Sequence, residues 1–259
     1  MRRPPPHKQQ LVQVADNVRL EVLDWGGSGR PLVFLAGGGD TAHAFDDFAP
    51  KLTPSYHVYA ITRRGFGASG STTPDNDFRH LADDVVAVLD ALHLDHPVLV
   101  GHSIGGAELS AVANEHPHRV AAVVYLDAAY PPMHSTTAAS RRWSNSCPST
   151  LPSLRRRKHT RRTPEEPQKV HRDPRSGPRH LRHAPHPGPM GHTSTGPKIR
   201  QAAKTYGAAL TPLTKKQISE LKKTVPAAHI ITIPNTHHYI FLSNEPEVLR
   251  NLRSFLATI

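Results

Sequence analysis

Pro97-Val98-Leu99-Val100-Gly101-His102-Ser103-Ile104-Gly105-Gly106 is the stretch that decides the fold. Pro97 to Val100 is an apolar run of strand type, and Ala107 to Glu115 has no internal Gly or Pro before it stops at His116-Pro117. A Gly-x-Ser-x-Gly spacing between a strand and a helix is a nucleophile elbow, in which the serine sits on a tight, strained turn. Side chains at Gly101 or Gly105 would collide with neighbouring backbone there. Such a turn lifts the Ser103 hydroxyl above the sheet edge and points the first amides of the helix at whatever Ser103 attacks.

Working outward, Gln10 to Val14 and Val18 to Trp25 read as two strands joined at Asp16-Asn17. Pro31 to Leu35 is a continuous apolar run of the kind buried on both faces, and it ends in Ala36-Gly37-Gly38-Gly39. Phe45 to Leu52 is a short helix candidate and His57 to Thr62 another strand. Phe78 to Leu92 carries Leu81, Val85, Leu89 and Leu92 on one helical face. Val120 to Leu126 predicts a buried strand that delivers Asp127 at its C-terminal end. Beyond residue 199, Ile218, Leu221 and Val225 mark a helix face, His229 to Ile233 a strand, and Glu245 to Leu256 a last amphipathic helix. This alternation predicts an α/β fold with a mostly parallel sheet and helices on both faces.

The formal charge of +11 is not spread evenly along the 259 residues. Residues 134–198 hold fourteen Lys/Arg against three acids, so the remainder is balanced. The same interval has ten prolines, seven histidines and only four Val/Ile/Leu/Phe residues. That is too little apolar surface to offset ordering entropy, so it predicts disorder. Four parts follow: a Pro-rich tail over 1–9, expected to be disordered; a core block over 10–133; the basic segment 134–198; and a second core block over 199–259. Eleven of the fourteen basic residues are arginine, and the composition switches at both ends of the segment. It reads as the product of a shifted frame in a GC-rich gene, which resequencing of codons 130–200 would decide. The alternative is a genuine basic insert that binds polyanions with a steep salt dependence. No specific nucleic-acid partner is expected of the balanced core.

The lone Cys147 excludes an internal disulfide. No apolar run follows the basic N-terminus and none is long enough to span a membrane, which makes a cytoplasmic location the default expectation. The sequence does not set the oligomeric state. Histidines of the basic segment lack metal-site spacing, so neither metal nor cofactor is expected. Gly65-Phe66-Gly67-Ala68-Ser69-Gly70 matches a dinucleotide fingerprint, yet Thr72, Thr73 and Pro74 stand where the phosphate-binding helix would run.

A serine hydroxyl needs a base within reach and a third group to orient that base. His238 or His237, on the loop leaving the last predicted strand, supplies the base, and Asp127 fits the intervening acid. An ordinary strand-end Asp that caps a turn is the competing account of Asp127. Two backbone N–H groups would form an oxyanion hole: that of Ile104, and one from the glycine loop, with Gly38 favoured over Gly37 and Gly39. His102, one residue off the exposed position, suits packing better than chemistry.

With these residues assembled, the chain resembles a serine-type α/β-hydrolase of the esterase/lipase-like group. The matching residues are Phe34 to Phe45, Thr62 to Ser69, Gly101 to Gly106 and Asn235 to Ser243, and the resemblance covers roughly 10–133 and 199–259. It implies His238 as base with His237 its neighbour, and an acid either at Asp127 or one strand later. It further implies cleavage of an ester or similar acyl bond of a small-molecule substrate through an acyl-enzyme. Cofactor-free perhydrolysis, C–C bond hydrolysis or non-catalytic ligand binding are the alternatives on the same scaffold. A helical lid and a further core strand belong in the family where this chain has its basic segment.

Overall fold

The structure, a computed structural model, describes residues 7–70, 78–128 and 215–259 other than 217, 224 and 226. The basic segment 134–198, and the expected return of regular structure near Ile199, lie outside the described residues. Six strands form one sheet: β1 (Lys8–Ala15), β2 (Val18–Gly26), β3 (Pro31–Leu35), β4 (His57–Ile61), β5 (Val98–His102) and β6 (Ala122–Leu126). Their spatial order is β1-β2-β4-β3-β5-β6. The β1-β2 and β2-β4 pairs are antiparallel, and β4, β3, β5 and β6 run parallel. The ladder begins at Lys8, so the last two residues of the expected tail are strand instead. Pairing with Leu23 and Asp24 satisfies their backbone in a way a Pro-rich composition does not reveal.

Alternation along the central strands builds a core on each face. In β3, Leu32 and Phe34 point to one side, Val33 and Leu35 to the other, and all four are essentially inaccessible. The Val33 side is covered by α1 (Phe78–Ala91) through Val85 and Leu89, and by α2 (Gly105–Glu115) through Leu109 and Val112. The Phe34 side is covered by Phe45 and Phe48, by Phe241 on the single turn α3 (Ile240–Ser243), and by α4 (Glu245–Leu256). Phe34, Phe45, Phe48 and Phe241 form a cluster with ring centroids 4.9–6.1 Å apart. Val248, Leu252 and Leu256 of α4 are buried together, at the predicted helical spacing.

Three local expectations are corrected. Phe45 to Leu52 is not a helix but lies across two 3-10 turns, Ala42–Phe45 and Ala49–Lys51. Pro50 has no N–H to give to a longer helical ladder, which limits the segment to short turns. Helical residues 218–223 bury Leu221, but Val225 lies past their end and is exposed. His229 to Ile233 is not a strand. Among the described residues the sheet ends at β6, whose Ala122 to Tyr125 are half-buried, and no strand stands beside 229–233 to take its backbone hydrogen bonds.

Candidate active site

β5 and β6 end side by side, with His102 opposite Leu126 in the parallel ladder. The next residue on each strand, Ser103 and Asp127, has left-handed backbone, φ 52° and 48°. Non-glycine residues adopt this conformation rarely, and it clusters at functional sites. The Ser103 N–H donates to the Leu126 carbonyl at 3.4 Å, and the Gly106 N–H donates back to the Ser103 carbonyl at 3.0 Å. The two glycines of the elbow are sterically required. A Cβ on Gly101 would fall 2.6 Å from the Gly105 carbonyl, and one on Gly105 would fall 2.4 Å from the Leu35 oxygen.

His238 arrives from the other end of the chain, on the loop before α3. Its Nδ1 lies 2.6 Å from Asp127 Oδ2. Nδ1 facing a carboxylate carries the proton, which leaves the Nε2 lone pair as the basic position of the ring. Both side chains are well exposed. Among the described residues Ser103 Oγ and His238 make no direct hydrogen bond; such bonds commonly tighten only when substrate is bound. His237 faces elsewhere, accepting at Nδ1 from the Tyr239 N–H at 3.2 Å.

With no strand beside it among the described residues, the His238 loop is fixed by side chains. His102 is 1% exposed and its Nε2–H donates to the His238 carbonyl at 3.1 Å. Its ring lies 4.6 Å from the His238 ring and 4.8 Å from that of Tyr239. The Tyr239 hydroxyl donates to Asp40 at 3.0 Å, and Thr236 Oγ1 donates to the Ile233 carbonyl at 3.0 Å. Burial, assisted by the neighbouring His238, pushes the His102 imidazole down to about 4, so it stays neutral at ordinary pH. Burial of His102 was legible from its place in the elbow; its grip on His238, 136 residues away, was not.

The glycine loop after β3 closes the opposite side. An added Cβ at Gly38 would lie 3.8 Å from the Ile104 side chain, so the two residues are neighbours. Ile104 is the N-cap of α2, and amides at a helix start have no intrahelical acceptor. At Gly37 a Cβ would strike His102 Nδ1 at 2.7 Å. Arg63 lies behind the loop and donates to the Ala36 carbonyl at 2.9 Å and the Gly37 carbonyl at 3.4 Å. Its Nε is paired with buried Glu108 of α2, whose carboxyl is pushed up by burial while Arg63 pulls it down. Gly65 to Gly70 forms a structural turn: Ser69 Oγ donates to the Thr62 carbonyl and accepts from the Glu21 N–H.

Comparison with known proteins matches the sequence to a family. Residues 30–179 match the family model for the α/β hydrolase fold. A bifunctional esterase/perhydrolase of Acinetobacter calcoaceticus is 32% identical over 133 residues, covering 50% of this chain and 48% of that protein. A non-heme chloroperoxidase of Burkholderia pyrrocinia is 36% identical over 136 residues, covering 50% and 48%. A non-heme haloperoxidase of Rhodococcus erythropolis is 37% identical over 128 residues, covering 49% and 46%. The chain thus spans about half the length of the curated relatives it matches. With an elbow serine between parallel strands and a family model that spans more than half of its residues, the chain belongs to the α/β-hydrolase fold family.

Proposed function

We propose that the chain is a serine hydrolase that cleaves an ester or similar acyl bond of a small molecule. Ser103 attacks the acyl carbonyl while His238 Nε2 takes its proton. The amides of Gly38 and Ile104 receive the oxyanion, and the protonated His238 returns the proton to the leaving group. Water, deprotonated by the same imidazole, then opens the acyl-enzyme and frees Ser103 and the acid. Asp127 keeps the proton on Nδ1 and stabilises the imidazolium. The observation that carries this proposal is the 2.6 Å contact between His238 Nδ1 and Asp127 Oδ2, formed beside the elbow by residues 111 positions apart.

A second outcome on the same triad is perhydrolysis, in which hydrogen peroxide instead of water opens the acyl-enzyme and leaves as a peracid. It is favoured by the name of one relative, a bifunctional esterase/perhydrolase, and by those of the non-heme haloperoxidases. The described residues contain no helix long and apolar enough to cross a membrane.

The test is labelling with a fluorophosphonate probe. Wild-type protein should be labelled, Ser103→Ala should not, and His238→Ala should be labelled far more slowly. Folded wild-type protein that resists the probe would instead support a non-catalytic, ligand-binding relative. Supplying peroxide and a carboxylic acid, with peracid formation as the readout, separates the perhydrolase from the esterase.

A further inference from the structure

Away from the elbow, three side chains from two distant parts of the sequence converge beside β2. His7 stands just before β1, and His43 and Asp46 lie one turn apart after the glycine loop. Their potential ligand atoms, one from each residue, all lie within 4.8 Å of one another. His7 Nδ1 is 2.8 Å from Asp46 Oδ1, and His43 Nδ1 is 3.0 Å from Asp46 Oδ2.

His7 Nδ1 and Asp46 Oδ1 are close enough for an ion pair, but they make no hydrogen bond with each other. Both His7 Nδ1 and Asp46 Oδ1 are buried and neither has a hydrogen-bond partner, although they are 2.8 Å apart. The His7 side chain is only 4% exposed, packed edge-on against Trp25 and His43. A buried imidazole nitrogen and a buried carboxylate oxygen left unsatisfied at close range are costly. A cation between them would satisfy both.

We propose that His7, His43 and Asp46 bind one divalent transition-metal ion of the zinc class. Two imidazoles and a carboxylate make the mixed nitrogen and oxygen set that zinc accepts, and three protein ligands leave a fourth position for water. Donor atoms on a tetrahedral zinc lie ~3.3 Å apart, from metal–ligand bonds of ~2.0–2.1 Å. The close pair must therefore open slightly and His43 move in. A supporting group is already present: the second ring nitrogen of His43 faces the Glu21 carboxylate at 3.6 Å. A carboxylate behind a ligating histidine fixes the ring and raises its basicity. Glu21 is in turn held by Thr62 Oγ1 at 2.6 Å and Gln9 Nε2 at 2.5 Å. Bound metal would tie the start of β1 to the turn that follows the glycine loop. None of this depends on the proposed triad.

Zinc titration of the full-length chain, followed by calorimetry, tests the site. The chain has 19 histidines, so assignment rests on differences between variants. Wild-type protein should show one tight equivalent that His7→Ala, His43→Ala and Asp46→Asn each weaken at least tenfold. His93→Ala, on a positive-φ turn remote from the cluster in sequence, should leave it unchanged. His7→Cys, which restores a soft ligand, should recover part of the affinity. His7 precedes the first strand, so its variants keep the fold testable by circular dichroism even if His43→Ala does not fold. Wild-type affinity in His7→Ala, or no equivalent tighter than ordinary surface histidines, would overturn the site.

Discussion

Pro31–Leu35 and His229–Ile233 are both five-residue runs of strand-type composition with β-branched side chains, and only the first is a strand. β3 has β4 on one side and β5 on the other, and its Phe34 is wholly buried between Phe45 and Phe48. The later run has no ladder among the described residues, and its Ile231 is 43% exposed. Strand propensity describes how well a side chain fits a pleated, half-buried surface. Without that surface the same residue types take irregular backbone. Yet the unladdered run still delivers His238 to Asp127, because side-chain contacts to His102, Asp40 and the phenylalanine cluster replace the missing ladder.

The largest effect is expected at the contact that the unladdered run delivers, between His238 and Asp127. Asp127→Asn should lower kcat by about 10⁴-fold, as loss of the orienting carboxylate does in serine triads. Steady-state hydrolysis of an activated ester reads this, and a near-wild-type rate would place the acid elsewhere. Next comes the laddered region itself. Phe34→Ala should cost ~3–5 kcal/mol in denaturant unfolding, since an aromatic ring leaves a cavity that packed strands cannot close.

His102 gives a third, pH-dependent test. Its imidazole titrates at about 4 in the fold against 6.5 ordinarily, chiefly because it is buried. The unfolded chain therefore takes up a proton below about 6.5 that the folded chain refuses until about 4. Stability from this group is complete above that window and falls as pH drops through it, by up to ~3 kcal/mol. His102→Asn should flatten this slope relative to wild type in parallel unfolding curves, and an unchanged slope would show that the ring is not desolvated. Smallest is Ile231→Ala, expected within ~0.5 kcal/mol of wild type as for other exposed positions. A cost near that of Phe34→Ala would mean that 229–233 is laddered after all.

The difference between these regions also explains how much was legible in the sequence. β3 and β5 were visible as short continuous apolar runs and α4 by its helical period, and each is buried by neighbours within the described core. Ser103 was visible because its turn is written in five consecutive residues, Gly101 to Gly105, although the contact that demands Gly105 is with the distant Leu35. His229 to Ile233 was misread because a strand is a property of a pair, and a single run does not display its partner. Phe45 to Leu52 was misread because its apolar spacing suited a helix while Pro50 forbade a long one. The meeting of His102 with His238 and that of His7 with Asp46 leave no local pattern. Their spacings of 136 and 39 residues are set by the fold alone.

Arg63 gives the site a direction. Every described peptide bond is trans, so each carbonyl points opposite to the N–H of the residue that follows. By holding the Ala36 and Gly37 oxygens, the guanidinium turns the amides of Gly37 and Gly38 outward, away from itself. A buried charge thereby sets which face of the loop presents its amides. Glu108 neutralises that charge from α2, the same helix whose first turn follows Ser103. One ion pair therefore ties the orientation of the glycine loop to the helix that follows Ser103.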